Sequence, residues 1–331
     1  MIIKKIKNYI NKRSWIDTQL HQPVIFISQL SRSGGSLLSS LFDNVPEIFA
    51  FPKEVKFGAI KKTLPDLKSF CNELPEEILM RFINENGIFK DAMRGDYKKG
   101  TKAAVPFEFE RAQFESTFYR LWRENTPTTG RELMTIFFTA FFSSWTNYPK
   151  HSIECKQFIS GFASWTAMDP KNIERFFGYY SDGFLIQIVR DPVSWYESVS
   201  ARNLQKTSLK RKELFPIYAG IDAAISSYEQ QWNITQNYMK TYGDKLLLLN
   251  FDSLINNRER TMRRVSERLG IAYSDSMLIP SFAGRKIEGN SSFNDRYKKH
   301  VDRNTILDSK EKIQLEEKLN PIYEQVEKLS L

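Results

Sequence analysis

The strongest constraint on the fold is a short apolar run that leads through a glycine- and serine-rich turn into a helical pattern. Residues Pro23–Ser28 read Pro-Val-Ile-Phe-Ile-Ser, which is typical of a buried parallel strand. The turn Ser31–Ser36 follows, and Leu37 and Leu41 beyond it lie at helical spacing. A strand, a glycine-rich turn and a helix in this order predict the start of a nucleotide-binding α/β domain.

The same alternation returns in the second half of the chain. Phe184–Val189 is another continuous apolar strand, and Arg190-Asp191-Pro192 follows it directly. Asp191 suits a helix N-cap and Pro192 suits the first helical position. Further strands are predicted at 48–51 and 245–251, with helices at about 170–179, 193–203, 221–242, 257–269 and 309–319 and a last helix beginning at Pro321. The pattern predicts an α/β fold with a parallel sheet flanked by helices.

Residues 61–150 interrupt this rhythm with helical patterns at about 75–86, 107–123 and 131–148. The last of these is rich in phenylalanine, and an apolar stripe of this kind is more often core than pocket wall. No linker-like composition separates the two halves. We therefore expect one domain over residues 1–331, with 61–150 as a helical insertion.

Composition narrows the class of protein. The chain has 331 residues, two cysteines and a net charge of +9, which excludes a disulfide framework and favours an anionic partner. The sequence has neither a zinc-finger spacing nor a basic tail, so these features give no support to a nucleic-acid partner. Met1–Arg13 fits either a basic amphipathic helix at a membrane surface or an arm packed on its own domain. We expect a cytoplasmic protein, with any membrane contact peripheral and made through Met1–Arg13.

The turn has the chemistry of a phosphate cradle. Its glycines allow an anion to approach the backbone, Ser33 and Ser36 offer hydroxyl groups, and Arg32 offers a guanidinium. It is not a Walker A loop, because no lysine follows Gly35. Taken alone, it also fits an ordinary connection between a strand and a helix.

Two motifs together resemble the PAPS-dependent sulfotransferases, where PAPS is 3′-phosphoadenosine 5′-phosphosulfate. Arg32-Ser33-Gly34-Gly35-Ser36 is similar to the loop that binds the 5′-phosphosulfate in that family, and Arg190 with Ser198 to the site of the 3′-phosphate. The segment Gly289–Phe293 resembles, more weakly, a stretch near the cofactor. The resemblance implies a P-loop-like fold and the following cofactor-binding residues: Arg32, Ser33, Gly34, Gly35, Ser36, Leu37, Arg190, Ser198, Asn290 and Ser291.

The resemblance also implies catalytic residues. Pro46–Phe57 is similar to a family segment whose glutamate is the catalytic base in carbohydrate sulfotransferases, which points to Glu54, although a surface glutamate beside two lysines is the alternative. Arg32 would neutralise the charge on the leaving phosphate. Lys156 is the candidate for a family lysine that follows the insertion, or else a solvated lysine at a strand edge.

Two positions depart from the family pattern. Gln29 stands where many members have glycine. Gly35 stands where a threonine usually donates its hydroxyl to the phosphate, although members with a Gly-Gly pair at this point are known. The resemblance implies an enzyme that sulfates a hydroxyl, on a glycan or glycolipid, with PAPS as co-substrate and no metal. Because the aromatic-rich insertion 61–150 lies between the two cofactor motifs, we expect it to form the acceptor side of the cleft. The alternatives are a non-catalytic homologue that binds a nucleotide or glycan, and a kinase of the wider P-loop group.

Overall fold

The computed structural model describes residue 16 and residues 18–56, 73–97, 104–149, 153–206, 216–287 and 307–331. Its central sheet consists of five strands: β1 (Val24–Gln29), β2 (Ile48–Glu54), β5 (Phe158–Phe162), β6 (Phe184–Val189) and β7 (Leu246–Asn250). They lie in the order β2-β5-β1-β6-β7, and every neighbouring pair is parallel. The predicted parallel sheet is confirmed.

Helices and two small hairpins surround the sheet. The hairpins are β3 (Asp96–Tyr97) with β4 (Val105–Pro106), and β8 (Ser281–Phe282) with β9 (Arg285–Lys286). The helices of the described residues are α1 (Gly35–Leu41), α2 (Pro75–Glu85), α3 (Ile88–Arg94), α4 (Arg111–Glu124), α5 (Gly130–Ser144), α6 (Pro170–Tyr179), α7 (Pro192–Lys206), α8 (Ile221–Tyr242), α9 (Phe251–Asn256), α10 (Arg258–Leu269) and α11 (Ser309–Leu329).

The side chains of each strand alternate between the two faces of the sheet, and each face has its own cover. Ile25 and Ile27 of β1 pack in one cluster with α1, α9 and α10. Val24 and Phe26 pack on the opposite face with the helices between β2 and β5 and with α6. On that second face, α7, α8 and α11 cover the β6 and β7 side. The sheet is therefore buried on both faces, as its continuous apolar strands predict.

Helix α5 carries the densest aromatic packing on the second face. The ring of Phe51 lies 4.6 Å from that of Phe141, and the ring of Phe82 lies 4.3 Å from that of Phe137, centroid to centroid. The prediction that the aromatic stripe is core is confirmed. The helix ends at Ser144, four residues before the predicted boundary. Tyr148 lies beyond this end, where its hydroxyl accepts from the N–H of Ala50 and donates to the carbonyl of Ile48.

Two differences from the sequence prediction have physical causes. Strand β5 was not predicted, because Ser160 and Gly161 interrupt its apolar run, yet it lies in the sheet between β2 and β1. The C-terminal pattern forms one helix that continues through Pro321 instead of two. Its halves stay aligned because Leu315, Leu319 and Val326 are buried in the same cluster.

Several sequence predictions fall outside the described residues. These are the segment Met1–Arg13, the cofactor residues Asn290 and Ser291, and parts of the 61–150 insertion. None of the helices among the described residues is long and apolar enough to span a bilayer.

Candidate active site

Five strand ends bring the candidate residues to one edge of the sheet. β1 leads into the turn that begins at Ser31, β2 ends at Glu54, β6 leads to Arg190 and β7 ends at Asn250. Ser164 follows the end of β5 closely. Because all five strands are parallel, these ends lie at the same carboxyl edge, which is where open α/β sheets bind ligands.

The loop after β1 has a conformation that few sequences can adopt. Arg32 has a φ of 78° and Gly34 a φ of 108°, both in the left-handed region. A Cβ atom on Gly34 would lie 2.2 Å from a ring carbon of Phe251, so only glycine fits there. The carbonyl of Gly34 accepts a hydrogen bond of 2.8 Å from the N–H of Leu37, which begins α1.

Arg190 lies underneath this loop as a buried cation. Its side chain is 5% exposed, and its guanidinium carbon lies 4.9 Å from the centroid of the Phe251 ring. Nη1 donates to the carbonyl oxygen of Arg32 at 3.2 Å, and Nε donates to Oγ of Ser194 at 3.0 Å. The turn after β6 and the loop after β1 are thereby joined through one side chain.

A second contact joins the same two elements from the loop side. Nε of Arg32 donates to Oγ of Ser198 on α7 at 3.0 Å. Arg32 is thus in direct contact with both Arg190 and Ser198, which follow it in the chain by 158 and 166 residues. The two sequence motifs therefore form one cluster that holds two guanidinium groups and several hydroxyl groups.

A polar network braces the start of α7. Asp191 caps the helix, as predicted, by accepting from the N–H of Ser194 at 2.7 Å. The N–H of Asp191 donates to Oδ2 of Asp252 at 2.9 Å, and the hydroxyl of Tyr323 donates to the same oxygen at 2.9 Å. Burial and the neighbouring charge of Asp252 raise the pKa of Asp191. Helix α11 therefore supports the Arg190 turn, which no motif in the sequence predicts.

Glu54 is anchored to the segment that follows β5. Its Oε1 accepts from the N–H of Ser164 at 3.2 Å and from the hydroxyl of the same residue. The next residue, Trp165, donates from Nε1 to Oγ of Ser31 at 3.0 Å. Ser164 and Trp165 thus connect Glu54 to the loop after β1. Sequence analysis missed both residues, because a serine and a tryptophan after an unpredicted strand form no recognisable motif.

Lys156 lies elsewhere in the molecule. It precedes β5, at the amino edge of the sheet, and its ammonium group donates to the carbonyls of Val45 and Ile48 at 3.2 Å and 2.8 Å. Burial lowers the pKa of Lys156 to about 8. The structure does not bring Lys156 together with Arg32 and Glu54. We therefore correct the expectation of a catalytic role and leave Lys156 out of the candidate site.

Part of the insertion reaches helix α1 by passing β2, which is an edge strand of the sheet. Although α5 packs on the face of the sheet opposite to α1, Tyr97 extends past β2 and stacks on Phe282 with centroids 3.9 Å apart. Together with Ser36 and Lys53 they line a shallow pocket beside α1. Lys53 forms an ion pair with Asp91 of α3, and its ammonium lies 5.7 Å from the Tyr97 ring centroid. A small part of the insertion therefore borders the loop.

Among the described residues, no group of three or more His, Cys, Asp or Glu side chains could hold a metal ion.

Comparisons with known proteins found one family model and several solved structures that are similar to this chain. A family model described as "Sulfotransferase family" matches residues 23–275. A sulfotransferase domain of the Synechococcus PCC 7002 olefin synthase is 15% identical, with a TM-score of 0.48 over 91% of this chain and 96% of that one. A sulfotransferase domain of the curacin biosynthetic pathway is 16% identical, with a TM-score of 0.46 over 92% and 99%.

A sulfotransferase from Alicyclobacillus acidocaldarius is 12% identical, with a TM-score of 0.47 over 93% of this chain and 95% of that one. The curated proteins contain no significant match to this chain.

Proposed function

Because this chain belongs to the sulfotransferase family, we propose that it transfers the sulfuryl group of PAPS to a hydroxyl group of an acceptor. The observation that carries the proposal is the direct contact of Arg32 with both Arg190 and Ser198 at the carboxyl edge of the sheet. These are the residues that the family resemblance assigns to the two ends of the cofactor. Their contact supports one binding site that spans both anionic groups.

The donor set fits a ligand with two anionic ends. Guanidinium groups and hydroxyls donate hydrogen bonds, and a guanidinium matches the geometry of a phosphate oxygen pair. Arg190 and Ser198 would bind the 3′-phosphate. Arg32, Ser33 and Ser36 would bind the 5′-phosphosulfate, and the loop backbone can approach that group closely because Gly34 and Gly35 carry no side chain.

The residues of this chain position the reactants and neutralise charge. When bound, PAPS supplies a sulfur atom to which the acceptor oxygen bonds, while adenosine 3′,5′-bisphosphate leaves with the electrons of the broken S–O bond. The guanidinium of Arg32 belongs to the loop itself, where its positive charge can offset the negative charge that develops on the leaving phosphate. Holding both reactants in line supplies a further part of the acceleration.

Glu54 would act as the general base. It ends β2 at the carboxyl edge, and Ser164 holds one of its carboxylate oxygens by two hydrogen bonds. A carboxylate fixed in this way can accept the proton that the acceptor hydroxyl loses as its oxygen bonds to sulfur. A positioned base typically contributes a factor of about 10²–10⁴ in rate.

The acceptor would be a hydroxyl of a carbohydrate or glycoconjugate bound beside α1. The pocket there combines the aromatic rings of Tyr97 and Phe282 with the polar groups of Ser36 and Lys53. Most of the remaining lining residues are polar as well, namely Ser39, Ser40, Asp43 and Ser281, and such groups can hydrogen-bond the hydroxyls of a carbohydrate. Of the residues that line this pocket, Tyr97 alone belongs to the 61–150 insertion, so the proposal that the insertion contributes to the acceptor side rests on Tyr97.

A transfer experiment tests the proposal. The protein is incubated with PAPS labelled in its sulfur atom and with a panel of glycans, glycolipids and phenols. We expect label in a glycan or glycolipid, and about 10–150-fold slower labelling with the Arg190→Ala variant when PAPS is subsaturating. Label in a phenol alone would overturn the acceptor class. Saturable binding of adenosine 3′,5′-bisphosphate without transfer to any of these would instead support a non-catalytic homologue.

A further inference from the structure

We infer that the carboxamide of Gln29 takes the place of a side chain at position 35 and contributes a polar contact to the anion that the loop binds. The inference rests on the proposed function, because that anion is the 5′-phosphosulfate of PAPS or the 5′-phosphate of its product. It assigns a binding role to a residue outside the loop motif itself.

Gln29 is the last residue of β1 and lies under the loop. Its side chain belongs to the row that continues from Ile25 and Ile27, which face α1. The first two members of that row are apolar, whereas the third is a glutamine, and this residue is 4% exposed. The polar member thus stands where the strand reaches the carboxyl edge.

The carboxamide occupies the space next to Gly35. A Cβ atom on Gly35 would lie 2.2 Å from Nε2, 2.4 Å from Oε1 and 2.5 Å from Cδ of Gln29. Gly35 is not among the residues with positive φ, unlike Gly34, so its backbone does not require glycine. The absence of a side chain at position 35 is therefore explained by the side chain of Gln29.

The carboxamide also has unused hydrogen-bonding capacity. Within the part of the chain that the structure describes, Oε1 of Gln29 is buried and has no hydrogen-bond partner. Buried polar atoms in proteins nearly always have one, and an absent water or ion is a recognised reason for an exception. Oε1 of Gln187 also lacks a partner, so the position of Gln29 beneath the loop is what relates its carboxamide to an anion. A half-turn about the last side-chain bond exchanges the C=O and NH2 groups within the same volume, so the carboxamide can donate to an oxyanion at the loop.

The two departures from the family pattern are then related, because the side chain at position 29 fills the space that a side chain at position 35 would fill. The resemblance places glycine at position 29 and a hydroxyl-bearing threonine at position 35, and this chain carries glutamine and glycine instead. The side chain that fills the space comes from the strand rather than from the helix. In both arrangements a polar group at this point can donate to the anion.

Calorimetric titration with adenosine 3′,5′-bisphosphate tests the polar contact. Gln29→Met keeps the length of the side chain and removes its donor, and we expect about tenfold weaker binding, as for loss of one hydrogen bond to a charged group. Gln29→Glu should lose more, because its carboxylate repels the anion. Gln187→Met is the matched control, since Gln187 is a buried glutamine of β6 that donates to Thr235 on α8.

A second pair of variants tests whether the side chain of Gln29 and a side chain at position 35 would occupy the same volume. Gly35→Thr alone should weaken binding and lower the melting temperature, because the new side chain collides with Gln29. The double variant Gln29→Gly, Gly35→Thr should bind within about threefold of the wild type, as the lost and gained groups occupy the same volume. Non-additivity of this kind is expected only if the two side chains share one space.

The outcomes separate this inference from the proposed function. If Gln29→Met, Gln187→Met and the wild type all bind adenosine 3′,5′-bisphosphate with the same affinity, the polar contact of Gln29 is overturned while the proposed function stands. Unchanged stability and binding in Gly35→Thr overturns the claim that the two side chains would occupy the same volume. A wild-type protein that does not bind adenosine 3′,5′-bisphosphate overturns both the inference and the proposed function.

Discussion

Replacement of Arg190 by alanine should remove the binding energy of the 3′-phosphate. Arg190 is 5% exposed, and its guanidinium is held by Ser194 and by the carbonyl of Arg32, so it is fixed before a ligand arrives and little screened by salt. A hydrogen bond to a charged group contributes about 1.5–3 kcal/mol. The affinity for adenosine 3′,5′-bisphosphate should therefore fall by about 10–150-fold in Arg190→Ala.

Two ligands distinguish contact with the phosphate from a structural role. Arg190 also touches the backbone of Arg32, so its loss could disturb the loop that binds the 5′ end. Calorimetry is therefore performed with adenosine 3′,5′-bisphosphate and with adenosine 5′-monophosphate, which lacks the 3′-phosphate. We expect Arg190→Ala to weaken the first ligand and to leave the second within about twofold.

Arg131→Ala serves as the control for loss of an arginine. Arg131 forms a two-pronged ion pair with Asp182, which precedes β6 and so lies toward the amino edge of the sheet. This variant should bind both ligands as the wild type does. Equal losses for both ligands in Arg190→Ala, or no loss for either, would refute the assignment of Arg190 to the 3′-phosphate.

Three further outcomes are expected. Glu54→Gln should lower turnover by about 10²–10⁴-fold in a transfer assay and leave calorimetric affinity for the bisphosphate unchanged, whereas weaker binding would point to a structural role. Ser164→Ala should lower turnover by about tenfold at unchanged affinity, since it removes one of the two hydrogen bonds to Glu54. Burial lowers the pKa of Lys156 from 10.5 to about 8, so between these values the unfolded chain binds more protons than the folded one and stability rises with pH. From pH 7 to pH 9.5 denaturant unfolding should show a gain of about 2 kcal/mol from this residue, and Lys156→Met should abolish that gain.

The fold was largely predictable because its strands are continuous apolar runs. β6 has the predicted boundaries, and β1 and β7 differ from theirs by one residue at each end. β5 escaped prediction because Gly161 packs against Val55 and contributes no side chain to the strand pattern. A strand of this kind is recognised only when its neighbours in the sheet are known.

The site was predictable where a single residue carries a strong chemical signature. Arg32, Arg190 and Ser198 stand in motifs whose positions relative to the strands are visible in the sequence, and the structure brings them into contact. The assignment of Lys156 failed because the sequence alone did not show that β5 begins after it, which places the lysine at the amino edge.

Supporting residues were not predictable because they act through tertiary contacts. Tyr323 reaches Asp252 from the last helix, and Ser164 reaches Glu54 from another strand, each across more than seventy positions of the chain. Gln29 and Gly35 looked like two separate departures from the family pattern. Only the distance between the Gln29 carboxamide and the position of a Cβ atom on Gly35 relates them.

Binding of adenosine 3′,5′-bisphosphate to the wild-type protein tests the central claim most directly. The titration is carried out by calorimetry in the presence of a chelator, with ATP and magnesium as the comparison. We predict saturable binding of one bisphosphate per chain without a divalent metal, and much weaker binding of ATP, which has no 3′-phosphate for Arg190 to contact. Tight binding of ATP with magnesium and no binding of the bisphosphate would contradict a PAPS-dependent sulfotransferase.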